Sequence, residues 1–296
     1  MKENIFLFLL FIFSICFAKE KLYVVCTTQD LADFVKVVGK EKVDVFCLTY
    51  GWQDPHRVEL RPSMVAYVRK ADLVVKVGMD LDSWIDSLIF SSGNSKVFPQ
   101  TKGYLDCSEK VRKLDVPKEK VDKSMGDIHI YGNPHYWLSP ENAKIVIEEI
   151  TKRLSFFMPN NSDFFKENMK NYFSLLDQKI LEWKQKLNGL ENRKIVSYHK
   201  TFVYFCDFFG LTEIATIEPK PSIPPSVKHI EFLISFLKQH KPKVILHENF
   251  YPIKTTRFIS EMSDIRYEVV AVSVGGKKEI NNYIALIEQL VEAISK

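Results

Sequence analysis

Histidines stand at the places where a chain of alternating strands and helices usually presents its ligands. His56 and His199 each follow a short apolar run that predicts a strand, and His247 and Glu248 stand at the end of a third. His135 lies on a loop directly before a helix start that is marked by Ser-Pro. Because open parallel sheets bind ligands beyond the carboxyl ends of their strands, we expect three or four of these imidazoles to meet in one cleft.

Imidazole is a common protein ligand of zinc, which it binds at about 2.0–2.1 Å. Three imidazoles from separate loops could grip and release an ion, or they could hold a hydrolytic zinc with water in the fourth position. The chain has no HExxH segment. The spacing of the histidines is therefore compatible with a reversible metal-binding site, with a hydrolytic zinc site, or with loop histidines that bind no metal. We interpret the remaining three histidines as surface or helix residues: His129, His229 and His240.

The elements that must position these side chains form a repeated β/α pattern. Strands are predicted at 21–26, 43–48, 73–77, 97–98, 194–197, 211–217, 244–247 and 267–272. Helices are predicted at 30–38, 61–70, 81–89, 141–157, 162–187, 201–209, 226–239, 255–262 and 281–294. The sequence therefore predicts an α/β fold of two parallel-sheet lobes, at 19–158 and 190–296, joined by a long connecting helix at 159–189.

The first 18 residues have the form of a cleaved signal peptide. A lysine precedes an apolar run that is too short to span a bilayer comfortably, and a small residue, Ala18, ends the segment. Cys16 lacks the small neighbour expected before a lipidated cysteine, so a lipoprotein is not expected. We expect a periplasmic protein whose mature chain begins at Lys19.

Composition excludes some function classes. The chain is 46% hydrophobic, and its net charge of +4 comes from 41 basic and 37 acidic residues that are mixed along the sequence. Without a basic block, binding to nucleic acid is not expected. Four cysteines remain after the leader and could form disulfides or stay buried as free thiols: Cys26, Cys47, Cys107 and Cys206.

Several segments, taken together, resemble the metal-specific solute-binding proteins of ABC importers, the zinc/manganese cluster A-I family. These are CTTQDLADFVKVVG, TYGWQDPHRVELRPSMVAYVRKADLVVKVG, NPHYWLSPENAK, VSYHKTFVYFCDFFGL and KPKVILHENFYPIKTTRFISEM, and they cover nearly the whole mature chain in the same order. The resemblance implies two lobes joined by a rigid helix, with a metal site in the cleft between them. It places three metal ligands at His56, His135 and His199, and it implies a monomeric, non-enzymatic protein that delivers its ion to a membrane permease.

The sequence departs from the family at the fourth ligand. Where the family commonly has an aspartate after the last strand, this chain has Ser273. The fourth position is therefore open to water or to a nearby carboxylate, for which Glu248 is the candidate and Glu59 and Asp54, beside His56, are alternatives. Three imidazoles without a firm carboxylate favour Zn²⁺ over Mn²⁺, which prefers oxygen ligands.

One further difference and two alternative functions complete the prediction. The histidine-rich loop of many zinc-binding family members is missing, and only His129 lies in the corresponding stretch. A secreted zinc-dependent hydrolase with a three-histidine site would need a general base beside the metal, for which Glu248 is available. An adhesin on the same scaffold would use the ion only to stabilise its fold.

Overall fold

The computed structural model describes residues 20–118 and 129–296, so the predicted leader at 1–18 lies outside the described part of the chain. Strand order is β2-β1-β3-β4 in one sheet and β6-β5-β7-β8 in the other, and every pairing is parallel. The strands are β1 Leu22–Cys26, β2 Val43–Cys47, β3 Leu73–Lys76, β4 Tyr104–Asp106, β5 Lys194–Ser197, β6 Thr212–Thr216, β7 Val244–Glu248 and β8 Tyr267–Val270. The predicted α/β fold of two parallel-sheet lobes is confirmed.

Helices cover these sheets and carry the apolar faces that the sequence pattern predicted. They are α1 Gln29–Gly39, α2 Pro62–Lys70, α3 Trp84–Ser92, α4 Pro140–Phe157, α5 Ser162–Asn188, α6 Val203–Phe209, α7 Val227–His240, α8 Lys254–Ser263 and α9 Tyr283–Ser295. Helix α4 begins as expected, because Pro140 occupies its first turn and the Ser139 side chain accepts a hydrogen bond from Asn142 N.

The strand predicted at 97–98 is wrong. Ser95–Val97 forms a 3-10 turn instead, and the Asn94 side chain caps this turn by accepting a hydrogen bond from Lys96 N. Val97 is buried in the core of the first lobe, which explains the apolar signal at that position. The edge strand beside β3 is β4, and its three residues are too few to show an alternating pattern in the sequence.

The long helix α5 contacts both lobes. Its 27 residues span about 40 Å at the usual rise per residue. Near one end, Asn168 Nδ2 donates to Val38 O of α1 in the first lobe. Near the other end, Trp183 Nε1 donates to Glu288 Oε2 of α9 after the second sheet. A single continuous helix therefore fixes the separation of the two lobes.

Buried hydrogen bonds also join the lobes close to the cleft. Trp137 Nε1 donates to Val272 O at 2.9 Å, and Tyr283 Oη donates to Trp137 O at 2.8 Å. Tyr283 also packs edge-on against Phe34 of α1, with ring centroids 5.0 Å apart. Since Trp137 stands two residues after His135, this contact holds the His135 loop against the second lobe.

Asp30 forms a second contact between the lobes. Its carboxylate, buried at the start of α1, accepts hydrogen bonds from Ser273 Oγ and, at 3.0 Å, from Val274 N. Burial raises the pKa of Asp30 to about 7, although these hydrogen bonds act to lower it. The Ser273 hydroxyl therefore donates its hydrogen bond to a carboxylate of the opposite lobe.

The four cysteines of the described chain are free thiols, which settles the alternative left open by the sequence. Burial raises the pKa of each of them, and that of Cys47 reaches about 12. Among the residues described, no helix has the length and apolar character needed to cross a bilayer.

Asp30→Asn should flatten the pH dependence of stability. The pKa of Asp30 is higher in the folded protein than in the unfolded chain, so folding binds a proton between about pH 4 and pH 7. Wild-type stability should therefore fall across this window by up to about 1.4 kcal/mol per pH unit from this group alone. Asparagine does not titrate; its Oδ1 can accept from Val274 N, and its Nδ2 can donate to the Ser273 hydroxyl oxygen.

Urea unfolding of both proteins at several pH values between 4.5 and 7.5 measures this difference. The stability of Asp30→Asn relative to wild type should rise with pH, while Asp44→Asn, which alters an exposed aspartate, should show no such trend. Parallel curves for Asp30→Asn and wild type would show that Asp30 is not buried in its folded state.

Candidate metal centre

His56 is held by the residue two positions before it. Asp54 Oδ1 accepts a hydrogen bond from His56 N at 3.0 Å and lies 2.9 Å from His56 Nδ1. Since a carboxylate can only accept, Nδ1 carries the proton and Nε2 keeps its lone pair. Pro55 stands between the two residues and restricts the backbone of this turn.

The His56 loop also rests on the second lobe. A Cβ atom at Gly51 would lie 1.9 Å from Val274 O, so only glycine allows this close approach. The loop after β8 therefore supports the loop after β2 directly.

His135 is positioned by the same arrangement. Asn133 Oδ1 accepts a hydrogen bond from His135 N at 3.0 Å and lies 2.9 Å from Nδ1, again with a proline, Pro134, between the two residues. Asn133 Nδ2 donates to Lys200 O at 2.7 Å, which fixes the orientation of the amide. His135 Nδ1 therefore donates, and Nε2 is available to a metal ion.

His199 is held by two carboxylates of the second lobe. It follows β5, and its Nδ1 lies 2.8 Å from Glu218 Oε2, which comes from the loop after β6. Its backbone N–H is directed at the carboxylate of Glu248, at 3.3 and 3.4 Å from the two oxygens. Ring and backbone are thus fixed independently, and Nε2 is again the free nitrogen.

The three histidines converge. One potential ligand atom from each of His56, His135 and His199 lies within 4.8 Å of the other two. Their ring centroids are 5.2, 5.3 and 5.4 Å apart. In a tetrahedral zinc site with bonds of about 2.0–2.1 Å, ring centroids would lie about 5 Å apart, so this spacing suits an ion at the centre.

The electrostatics of the group favour a cation. Burial, followed by the neighbouring imidazoles, lowers the pKa of His135 well below its usual value, so its ring is neutral at pH 7. Burial acts to raise the pKa of Asp54, but the hydrogen bonds and the electrostatic effect of His56, together with the electrostatic effect of His199, outweigh it, and the pKa is lowered. An ionised carboxylate therefore stands behind the His56 ring, an arrangement that is usual in zinc sites.

The other residues predicted for the site have different roles in the structure. Glu248 does not belong to the group of converging donors, because its carboxylate accepts from Thr201 Oγ1 at 2.6 Å and from His199 N. Burial raises the pKa of Glu248 to about 8. His247 is fully occupied, since it bonds to Tyr251 O at 3.0 Å and to Thr256 Oγ1 at 2.8 Å.

Sequence reasoning missed the supporting acceptors. Asp54 was considered only as a metal ligand, and Asn133 and Glu218 were not considered at all. The two Asx-Pro-His tripeptides, at 54–56 and 133–135, are a signal that could have identified the first two. Glu218 lies in a proline-rich loop 19 residues after His199, and nothing in the sequence connects the two residues.

A cavity of about 420 Å³ opens beside the histidines, and His135, His199 and His129 line it together with Lys200 and Asp115. The His129 ring lies 5.2 Å from that of His56. The sequence was interpreted as placing His129 at the surface or on a helix. In the structure it lies beside the three converging histidines.

Comparisons with known proteins agree with this picture. A family model described as ZnuA, zinc-uptake complex component A, periplasmic, matches residues 24–296. The manganese ABC transporter substrate-binding lipoprotein PsaA of Streptococcus mitis is 29% identical over 252 residues, which cover 83% of this chain and 78% of PsaA. The high-affinity zinc uptake system protein ZnuA of Bacillus subtilis is 24% identical over 282 residues, covering 93% and 87%.

A solved structure shows the same fold. The crystal structure of a 138–173 deletion mutant of ZnuA with zinc bound superposes with a TM-score of 0.78 at 21% identity, covering 93% of this chain and 97% of that one. The relatives do not support the expectation that a lipoprotein is excluded, because PsaA is itself named a lipoprotein. The resemblance drawn from the sequence segments is confirmed: over residues 24–296, this chain belongs to the ZnuA family of periplasmic zinc-uptake components.

Proposed function

We propose that the protein captures a divalent metal ion, Zn²⁺ in preference to Mn²⁺, outside the cytoplasm and delivers it to the permease of an ABC importer. The convergence of three Nε2 lone pairs, each fixed by an acceptor on Nδ1, is the observation that carries this proposal. His56, His135 and His199 are the proposed ligands. Neutral imidazoles suit zinc better than manganese, which prefers oxygen ligands.

Family membership supports transport rather than hydrolysis. The family description is that of an uptake component, and a named relative in Bacillus subtilis belongs to a zinc uptake system. Glu248, the general base that a hydrolase would have used, is occupied by Thr201 and by the backbone of His199. We therefore assign the protein no catalytic role.

The proposed organisation follows from the same reasoning. Residues 1–18 form an export leader, 19–158 the first lobe, 159–189 the connecting helix and 190–296 the second lobe. Two ligands come from the first lobe and one from the second, so that the ion sits in the cleft. The protein acts as a monomer.

Alanine at His56, His135 or His199 should each weaken zinc binding by at least about tenfold, because each removes a donor from the group. Isothermal titration of the metal-free protein with Zn²⁺ measures the affinity, and circular dichroism checks that the variant folds. His229→Ala on α7 is the control and should bind zinc like wild type. Unchanged affinity in one of the three variants would remove that residue from the site.

Glu218→Gln should weaken zinc binding about 10- to 100-fold while the three-histidine group stays in place. Glutamine keeps an acceptor for His199 Nδ1 but removes the negative charge that offsets the cation. Titration calorimetry compares this variant with Glu231→Gln, which makes the same charge change on the exposed side of α7. Equal affinities would show that the Glu218 charge does not act on the ion.

Removing the metal should leave the protein folded. A transport protein must release its cargo, and the two lobes are already joined by buried hydrogen bonds and by α5. Scanning calorimetry with a chelator should show one cooperative transition, and added Zn²⁺ should raise Tm in proportion to RT ln(1 + [L]/Kd). Unfolding on chelation alone would instead indicate a structural ion.

A further inference from the structure

The side chain of Asn133 bonds to both lobes at once. Its Oδ1 accepts from His135 N at 3.0 Å and lies 2.9 Å from His135 Nδ1, while its Nδ2 donates to Lys200 O at 2.7 Å. His135 belongs to the first lobe, whereas Lys200 follows β5 in the second. One amide therefore connects a proposed ligand of one lobe to the backbone of the other.

The chemistry of these partners fixes the orientation of the amide. A backbone N–H can only donate, so the atom that faces His135 N must be the oxygen. A backbone carbonyl can only accept, so the atom that faces Lys200 O must be the nitrogen. Exchanging the two ends of the amide would break both contacts, and the Asn133 side chain is therefore held in one orientation.

Lys200 extends the connection to a second ligand. It is the residue after His199, whose ring is held by Glu218 of the second lobe. Lys200 O is bound by Asn133, and Lys200 Nζ lies 2.7 Å from Asp115 Oδ2 of the first lobe. A single peptide bond thus separates a ligand that is fixed to the second lobe from a residue that is fixed to the first.

The backbone of Asn133 is fastened as well. Its N–H donates to Leu114 O at 2.9 Å, and the Leu114 N–H donates in turn to Tyr204 Oη of α6 at 2.9 Å. The preceding residue, Gly132, has a φ of +109°, and a Cβ atom there would lie 2.6 Å from Leu114 O. Glycine is therefore needed for this close approach. These contacts hold Asn133 in place independently of an ion.

The contacts between the lobes differ on the two sides of the cleft. The hydrogen bonds that Trp137 makes across the lobes are buried. On the side of the 420 Å³ cavity, two ion pairs have side chains that are between 39% and 68% exposed: Lys200 with Asp115, and Arg112 with Asp207. Ion pairs at such exposure contribute little to stability. The cavity side is therefore the side on which the lobes separate more easily.

From this geometry we propose that Asn133 is a positioning residue, which holds His135 and His199 at the spacing that suits an ion and slows release of the ion by joining the lobes between these two ligands. The two ring centroids lie 5.4 Å apart. An ion between the rings and the amide of Asn133 would bridge the same two segments, so each bridge stabilises the geometry of the other. This inference rests on the proposed metal-binding function.

Aspartate at this position separates the two roles of the amide. Asn133→Asp keeps an oxygen that accepts from His135, but it replaces the donor to Lys200 O with a second oxygen, so the hydrogen bond between the lobes is lost. The added negative charge acts in the opposite direction, because a carboxylate behind a ligand strengthens the binding of a cation. If Asn133 served only the His135 ring, this substitution would slow the release of zinc.

The test measures zinc release directly, using protein purified without a polyhistidine tag. Stopped-flow mixing of the zinc-loaded protein with an excess of a chromogenic chelator gives the dissociation rate. We expect zinc to leave Asn133→Asp at least about tenfold faster than wild type, in spite of the added charge. The association rate should change by less than about threefold, because the three imidazole donors are unaltered.

Asn192→Asp is the matched control. Asn192 Oδ1 accepts from Lys194 N and its Nδ2 donates to Lys241 O, which is the same pattern of contacts. Asn192 precedes β5 and therefore lies at the opposite end of this strand from His199. Its substitution makes the same change of charge and of donor away from the cleft, and it should release zinc at the wild-type rate.

The outcomes separate this inference from the proposed function. Equal or slower release from Asn133→Asp would overturn the inference and leave Asn133 as a local support of the His135 ring. Should this variant fail to fold, a crystal structure of the metal-free wild-type protein gives a second test, in which Asn133 Nδ2 and Lys200 O should lie within hydrogen-bonding distance. Separation of these two atoms would also overturn the inference. Failure of the wild-type protein to bind zinc in calorimetric titration would instead overturn the metal site itself.

Discussion

The hydrogen bond on the Nδ1 atom of each converging histidine is the interaction on which the candidate site depends. An imidazole has two nitrogens, and only the one without a proton can bind a metal ion. At His56 and His135 an Asx side chain two residues earlier accepts both the backbone and the ring N–H, so one short tripeptide fixes position, tautomer and direction. At His199 the same result needs two distant carboxylates, on Glu218 and Glu248. The charges are unequal, since a carboxylate supports His56 and a neutral amide supports His135.

The loops that carry His56, His135 and His199 hold fixed positions relative to one another because the two lobes beneath them are joined. Across the lobes, Trp137 donates to Val272 O and its own carbonyl accepts from Tyr283, and Asp30 accepts from the loop after β8. The continuous helix α5 spans the whole contact from α1 to α9. A site drawn from both lobes can therefore keep its geometry without an ion to hold the lobes together. The contact between Gly51 and Val274 extends this support to the His56 loop.

Much of the fold and the three central histidines could be predicted from sequence, because apolar runs and strand ends are local features. The rest depends on distant partners. His199 and His247 both stand at strand ends, yet one faces the cleft and the other is occupied by Tyr251 and Thr256. Glu248 was predicted as a ligand, and in the structure its carboxylate accepts from Thr201 and from the backbone of His199. The misplaced fourth strand and the location of His129 share this cause, because a three-residue edge strand and a turn fastened to Leu114 leave no periodic signal.

The buried thiols have a consequence for how the cargo is kept. Zinc binds thiolates strongly, and the four cysteines of the described chain are a second set of donors that could compete for a bound ion. Burial raises the pKa of all four thiols, which keeps them protonated at neutral pH, and Cys47 donates its proton to Thr49 O. Protonated thiols inside an apolar core are also poor targets for oxidants. The hydrophobic interior of the protein thus keeps the thiols out of competition, and the converging imidazoles of the cleft remain as the donors available to an ion.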